Sequence, residues 1–289
     1  MQDVLINITD KCINCRRCIK VCPSKIFIDN PNGGSPVTQN EQSCIKCGHC
    51  VAACAVGAVK HNLFEQSKIH KIDYSQMPTP EQVMLLCRVR RTNRSFTDKP
   101  VPQEHIDMIL EAAHRAPTAS NMQEIEFLVI TSQQKIRQVQ QYVIDVFGSF
   151  VKKLENPLLK PLLKHVIGSV YRYVPIFYRM KEQFEQGNDL VLRGAPVLLL
   201  IHAPKSSRFA DADANLAYQN ASLMAESLGI SQLYTGFLCT AIKMGRGKFE
   251  KMIGLPSDRS IKAGMGFGIP EFRYPNYIDK KELQVIVEK

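Results

Sequence analysis

Tryptophan is absent from the 289 residues, and aromatic residues make up only 8% of the chain. No apolar run approaches the roughly 20 residues that a membrane-spanning helix needs, so the sequence predicts no membrane partner. The net charge is +10 at pH 7, yet there is no long block of lysine or arginine, and a nucleic-acid partner is not expected. The first 12 residues contain neither a basic n-region nor an apolar h-region, which predicts that there is no export signal.

Cysteine, in contrast, is abundant, and eight of the ten cysteines fall into two runs with the spacing CxxCxxCxxxC. The first run is Cys12, Cys15, Cys18 and Cys22, followed by Pro23, and the second is Cys44, Cys47, Cys50 and Cys54. Three thiolates at two-residue gaps can wrap around one face of a [4Fe–4S] cubane, while the fourth ligand must come from elsewhere. The spacing therefore predicts two [4Fe–4S] clusters.

This spacing resembles that of bacterial two-cluster ferredoxins, in which the last cysteine of each run binds the other cluster. The resemblance assigns one cluster to Cys12, Cys15, Cys18 and Cys54. It assigns the second to Cys44, Cys47, Cys50 and Cys22. Structural zinc is the alternative, but zinc usually takes CxxC pairs or Cys/His mixtures, which give no reason for a third cysteine two residues on. Thiolate-bound clusters in a chain without an export signal predict a reducing, cytoplasmic location.

The length predicts about two domains. Residues 1–63 are expected to form a ferredoxin-like domain, 64–77 a linker, and 78–289 a second domain. Within the second domain, the stretch 150–190 is rich in Leu, Tyr and Lys and is interrupted by prolines. We expect it to be a mobile helical cover.

Helix and strand patterns alternate along the second domain. Thr79, Pro80 and Gln82 have the pattern of an N-cap, a first-turn proline and a capping-box partner. The apolar run PVLLLIH, residues 196–202, predicts a central strand. Alternating apolar residues over 261–267 predict another strand.

Three further expectations concern Gly148, Cys87 and the C-terminal stretch. Gly148 is expected to end the helix that Ser132 opens, and Cys87 is expected to pack on the apolar face of the first helix. The C-terminal KKELQVIVEK, residues 280–289, is expected to add an edge strand or an arm.

Four separated stretches of the second domain carry a family resemblance. RRTNRSF (Arg90–Phe96) follows a helix, and APTASNMQEIEF (Ala116–Phe127) precedes a strand. Together with LGISQLYTGF and GFGIPEFRY further along, they resemble the nitroreductase family over residues 78–289. The resemblance implies an α+β fold, a central mixed or antiparallel sheet flanked by helices, that binds FMN.

The resemblance also implies roles for residues around the flavin phosphate and ring. Arg90 and Arg273 are the candidates for binding the phosphate, because guanidinium groups offer two donors at once, and Arg91 and Thr92 flank it. Arg94 matches the position near flavin O2, where a cation stabilises the reduced ring.

Two loops are expected to line the ring itself. In the first loop, Asn121 and Gln123 offer side-chain amides to the pyrimidine edge, while the backbone of Pro117, Thr118, Ala119 and Ser120 packs the ring. In the second loop, Tyr234 covers the ring, and the amides of Thr235 and Gly236 approach flavin N5 and O4.

The chain departs from the family pattern at one corner. Glu124 and Ile125 stand where the family often has Pro-Trp, so contacts there are expected to differ. The glycines of GMGFG alternate along a strand and do not open a helix, which excludes a dinucleotide fingerprint. Family members usually form homodimers with FMN at the subunit boundary, and a homodimer is expected here.

Clusters carry one electron at a time, whereas FMN holds one or two. The combination predicts an FMN-dependent oxidoreductase that passes electrons from the clusters to FMN and on to a small acceptor such as a nitroaromatic or a quinone. No catalytic side chain is required, since flavin N5 does the chemistry, and protons come from solvent or from cover residues such as Tyr171, Tyr173 or Tyr178. Ferredoxin, flavodoxin and NAD(P)H remain open as donors. The alternatives are an electron-transfer or redox-sensing protein without small-molecule turnover, and a zinc module on an inactive flavin fold.

Overall fold

Residues 5–288 are described in a computed structural model, and they divide into two compact units. The first unit contains the residues up to Met77 together with Ala119–Gln123, and the second contains Pro78–Thr118 and the residues from Glu124 onward. Residues 1–4, on which the predicted absence of an export signal partly rests, and residue 289 at the end of the predicted arm lie outside the described residues.

The first unit is built from two short antiparallel strand pairs and two short helices. The elements are β1 (Ile6–Ile8), α1 (Arg17–Val21), β2 (Phe27–Ile28), β3 (Val37–Thr38), α2 (His49–Ala52) and β4 (Val59–His61). Strand β1 pairs with β4, and β2 pairs with β3. The buried core contains few large apolar side chains, namely Ile6, Ile26, Phe27 and Val59, beside Cys18 and Cys50. So small a core needs the added stability of bound metal.

The second unit is organised around one four-stranded antiparallel sheet. Its strands are β5 (Glu126–Ile130), β6 (Val197–Pro204), β7 (Ser231–Tyr234) and β8 (Arg259–Gly268), and their order in the sheet is β5-β6-β8-β7. Seven of the eight residues of β6 are buried, and β6 lies between β5 and β8. The predictions of a central strand and of a strand over 261–267 are confirmed.

Helices cover both faces of this sheet. They are α3 (Pro80–Val89), α4 (Gln103–His114), α5 (Gln133–Leu154), α6 (Lys160–Val166), α7 (Val174–Glu185), α8 (Ala210–Ser227), α9 (Gly236–Gly245) and α10 (Lys248–Met252). Because side chains alternate along a strand, Leu199 and Ile201 pack with α4 and α8, while Leu198 and Leu200 pack with α5 and α9. The predicted α+β fold, a sheet flanked by helices, is confirmed.

Helix starts follow the sequence signals closely. The Thr79 hydroxyl accepts from the Gln82 amide at 3.2 Å, and the Gln82 side chain accepts from the Thr79 amide at 2.9 Å, so the predicted capping box is confirmed. Ser132 caps α5, as predicted, by accepting from the Lys135 amide.

Two expectations were wrong. Helix α5 runs through Gly148 to Leu154, because buried Phe147 and Val151 on the same helix offset a glycine penalty of about 1 kcal/mol. Cys87 is exposed, since no residue of α3 is buried in the described structure.

The stretch predicted as a cover is helical through α6, a 3-10 segment at Gly168–Tyr173, and α7. Beyond β8, the residues described up to position 288 form no further helix or strand. Leu283 and Ile286 there are 89% and 93% exposed, so the described C-terminal residues form an arm and no edge strand. Among residues 5–288, no helix has the length and apolar character that crossing a membrane requires.

Candidate functional site

The structure brings Cys22 together with the second cysteine run. Burial, followed by the neighbouring thiols of Cys44, Cys47 and Cys22, raises the pKa of Cys50 to about 11. The same four cysteines line one cavity of the first unit. This grouping agrees with the ligand set that the ferredoxin resemblance assigns to one cluster.

The first cysteine run shows a similar grouping. Burial raises the pKa of Cys18, and Cys12 and Cys15 contribute in the same direction. Cys18 lies in α1 as Cys50 lies in α2, so each short helix carries the third cysteine of its run. The assignment of Cys54 to this cluster stays a prediction.

Backbone amides donate to three of the predicted ligand sulfurs. The amide of Ile26 lies 3.3 Å from Cys22 Sγ, that of Lys46 lies 3.4 Å from Cys44 Sγ, and that of Ala58 lies 3.1 Å from Cys54 Sγ. Such donors stabilise negatively charged thiolates. The cysteine loops therefore fit iron–sulfur clusters.

Within the described residues, no three His, Cys, Asp or Glu side chains stand close enough to hold a single metal ion. A zinc ion would need four ligands within about 2.3 Å of one point, whereas a cubane spreads its ligands over four irons. His49, inside the second run, is exposed.

Sequence reasoning missed His61, which is 4% exposed at the end of β4. Its Nε2 lies 3.7 Å from Cys44 Sγ, and its Nδ1 accepts the amide of Leu63 at 3.2 Å. Burial lowers the pKa of His61. His61 was missed because it lies outside both cysteine runs in the sequence. Its position in β4, directly after the second run, was the available signal.

In the second unit, three arginines lie near enough to one carboxylate to affect its pKa. Burial raises the pKa of Glu226, and Arg90, Arg273 and Arg91 lower it. Arg90 caps α3, while Arg91 stacks over the Tyr274 ring at 4.6 Å. Three arginines near one half-buried acid leave an excess of positive charge, which suits a phosphate dianion.

The position of Arg273 depends on a glycine. Gly229 has a φ of +71°, and a Cβ at this position would collide with Nη2 of Arg273. The turn after α8 thus requires glycine both for its left-handed backbone and for the close approach of the guanidinium group. Gly229 and Arg273 line one surface pocket with Arg91 and Glu226.

The loop that carries Thr92 and Arg94 is pinned by Asn93, which sequence reasoning did not single out. Asn93 is 1% exposed. Its amide donates to the Gln232 carbonyl at 2.8 Å, its side chain donates to the Ser95 carbonyl, and its Oδ1 accepts the Arg94 amide. These bonds fasten the loop to β7, where Thr92 forms a parallel bridge with Gln232.

Arg94 has a basic neighbour that sequence reasoning also missed. Burial lowers the pKa of Arg193, and Arg94 and Arg179 lower it further, while Asp189 acts in the opposite direction. The Asp189 carboxylate already accepts three backbone amides, those of Val191, Leu192 and Gly194. Arg193 therefore adds positive charge close to Arg94.

The second predicted ring-lining loop lies at the end of β7. Burial, followed by the neighbouring Cys239, raises the pKa of Tyr234 to about 12, so its phenol stays protonated. The Thr235 amide donates to the Gly264 carbonyl at 3.0 Å and is used inside the sheet. Gly236 opens α9, and the first amides of a helix have no partner within the helix.

The first predicted ring-lining loop is divided between the units. Pro117 and Thr118 belong to the second unit. The range Ala119–Gln123, which includes Ser120, belongs to the first. The Asn121 side-chain nitrogen donates to the carbonyls of Lys46 at 3.0 Å and Ile45 at 3.3 Å. This nitrogen, predicted to face the flavin, is thus bound to the cysteine loop.

Comparison with known proteins assigns both parts of the chain. The model described as "Nitroreductase family" matches residues 87–269, more than half of the chain. The chain belongs to the nitroreductase family. A 4Fe-4S dicluster domain matches residues 11–59. The predictions of an FMN-dependent oxidoreductase of this family with a two-cluster domain are confirmed at the level of the family, whereas the individual FMN-binding residues stay proposals.

Individual relatives are distant. An FMN reductase (NAD(P)H) of Bacillus subtilis (strain 168) is 28% identical over 60% of this chain and 65% of that protein, so the chain spans just under two thirds of its length. A nitrobenzene nitroreductase of Ectopseudomonas oleovorans is 26% identical over 72% of this chain and 96% of that protein. A crystal structure of a nitroreductase with bound FMN from Desulfitobacterium hafniense DCB-2 superposes with a TM-score of 0.55 at 20% identity, covering 71% of this chain and 97% of that chain. This last match shows a shared fold.

Proposed function

We propose that the chain takes single electrons into two [4Fe–4S] clusters, passes them to FMN and reduces a small acceptor such as a nitroaromatic or a quinone. The observation that carries the proposal is that one chain contains both a dicluster domain and a nitroreductase domain. In the first, Cys22 lies near the second cysteine run, and in the second, three arginines lie near Glu226. FMN supplies the conversion between one-electron and two-electron chemistry.

The chain's own residues would hold FMN in the following way. Arg90, Arg91 and Arg273 bind the phosphate, since their three positive charges outnumber the single negative charge of Glu226. Thr92 and Arg94 stand on the loop that Asn93 fixes.

The ring is held by the two loops. Tyr234 and Gly236 are the contacts after β7, together with Thr235, whose amide is used in the sheet. On the other loop the residues are Pro117, Thr118, Ala119, Ser120, Asn121 and Gln123.

The setting of the reaction follows from the resemblance. The donor is a ferredoxin, a flavodoxin or NAD(P)H, and the working form is a homodimer in a reducing cytoplasm. The FMN reductase and nitrobenzene nitroreductase relatives support a small acceptor for the same fold.

The first experiment is to purify the chain without oxygen and to measure iron, acid-labile sulfide and FMN. About eight iron, eight sulfide and one FMN per chain are expected. Zinc, or clusters without flavin, would contradict the proposal.

The second experiment removes one cluster ligand. Cys47→Ala should abolish ferredoxin-driven nitro reduction while FMN remains bound, and Cys87→Ala, which alters an exposed cysteine outside both runs, should leave it unchanged. Full activity in Cys47→Ala would refute the electron path. Cluster-to-FMN transfer without turnover of any acceptor would favour the electron-transfer alternative.

A further inference from the structure

The imidazole of His61 is oriented by two contacts within the first unit. Its Nδ1 accepts the amide of Leu63 at 3.2 Å. A neutral imidazole has one donor and one acceptor nitrogen, so the proton lies on Nε2. That nitrogen is 3.7 Å from Cys44 Sγ, a hydrogen-bonding distance for sulfur, and it donates to the thiolate.

The cluster repeat has no such donor at the matching position. His61 comes seven residues after Cys54, the last cysteine of its run, and the residue seven after Cys22 is Asp29. Asp29 is exposed and forms an ion pair with Arg16. A carboxylate has no N–H to donate, so the two halves of the repeat differ in charge and in hydrogen bonding.

The difference has a direct electrochemical consequence. Reduction adds one electron to a cluster and makes its sulfurs more negative, and a hydrogen-bond donor stabilises that state more than the oxidised one. We propose that His61 makes the cluster held by Cys22, Cys44, Cys47 and Cys50 the higher-potential cluster, which is reduced first. No proton is transferred, because His61 keeps the hydrogen on Nε2 in both states.

A second contact ties the same cysteine loop to the segment predicted to line the flavin. Asn121 donates to the carbonyls of Ile45 and Lys46, which lie between Cys44 and Cys47. Asn121 thus helps to hold the loop between Cys44 and Cys47 within the first unit. The difference in potential rests only on the two-cluster domain, whereas any route of electrons from that cluster to FMN rests on the proposed function.

The test is an anaerobic redox titration of the full holoprotein, with electron paramagnetic resonance used to follow the two clusters separately. In His61→Leu, the midpoint potential of one cluster should fall and the gap between the two should narrow. His61→Gln, whose amide can both donate and accept, should restore part of the shift. Asp29→Leu, at the matching position, should move neither potential.

Two results would overturn the inference. One is an unchanged pair of potentials in His61→Leu with full iron and sulfide content, and the other is an equal shift of both clusters. If His61→Leu fails to assemble, the unaltered protein labelled with ¹⁵N-histidine still gives an answer. Its first-reduced cluster should show hyperfine coupling to a labelled histidine nitrogen, and the absence of that coupling would refute the proposal.

The outcome is separable from that of the proposed function. Potentials that shift as expected in a protein whose clusters never reduce FMN would support the role of His61 and contradict the electron path. Normal FMN reduction with unaltered potentials in His61→Leu would support the electron path and contradict the role of His61.

Discussion

The guanidinium group of Arg273 lies so close to Gly229 that any side chain at position 229 would collide with it. This relationship joins the turn after α8 to the segment after β8, and it places Arg273 in one pocket with Arg91 and Glu226. The proposed phosphate site therefore depends on a residue without a side chain.

Gly229→Ala should weaken FMN binding about tenfold or more, because the displaced Arg273 loses a charge-assisted hydrogen bond of about 1.5–3 kcal/mol. It should also cost about 1–2 kcal/mol of stability from the left-handed backbone. Gly254→Ala is the matched control, since Gly254 has a φ of +75° with open space around its Cα. FMN fluorescence titration of the two variants should show weaker binding in the first only.

Glu226→Gln should bind FMN more tightly than the unaltered chain, by about fivefold. The carboxylate competes with phosphate for Arg90, Arg273 and Arg91, and removing one partly screened charge is worth about 1 kcal/mol. Glu111→Gln, which alters an exposed acid paired with Arg115, is the control. Equal FMN dissociation constants in all three proteins would show that the phosphate lies elsewhere.

Stability should fall as the pH drops below the ordinary His value of 6.5, partly because of His202. Burial lowers the pKa of His202, Arg259 lowers it further by donating to Nδ1 at 2.8 Å, and Glu126 acts in the opposite direction. The unfolded chain therefore binds a proton at a higher pH than the folded chain, and stability present above pH 6.5 is lost as pH falls toward the lowered folded value.

The measurement is the melting temperature of the holoprotein between about pH 7.5 and 5.5. In His202→Gln the melting temperature should fall less steeply with decreasing pH. The corresponding difference in the free energy of unfolding is at most about 1.4 kcal/mol per pH unit. His165→Gln, at an exposed position, should follow the unaltered chain. A decline of the same steepness in His202→Gln would exclude this residue as a source.

Tyr171→Phe should lower stability by about 1 kcal/mol without a loss of nitro reduction. The Tyr171 hydroxyl donates to the Leu154 carbonyl at 2.7 Å and so holds the cover to the end of α5. Denaturant unfolding and steady-state rates on one nitroaromatic would check both parts. A drop of a hundredfold in kcat with unchanged stability would instead make this phenol a proton donor.

Local chemistry was readable from the sequence because it depends on neighbours in the chain. The spacing of the cysteines predicts clusters, since a loop of three thiolates must fit a cubane. The capping box at Thr79 and Gln82 and the buried strand at 196–202 are likewise set by adjacent residues and were confirmed. The family resemblance added the fold and FMN.

Only the tertiary structure decided the rest, because it depends on residues brought together from distant positions. His61 reaches Cys44 through the pairing of β1 with β4, and Asn93 is buried only because β7 receives its loop. Helix α5 continues through Gly148 because Phe147 and Val151, on the same helix, pack in the core. The backbone amide of Thr235 and the side-chain amide of Asn121 donate to carbonyls of Gly264 and Lys46, since tertiary packing determines which polar groups meet.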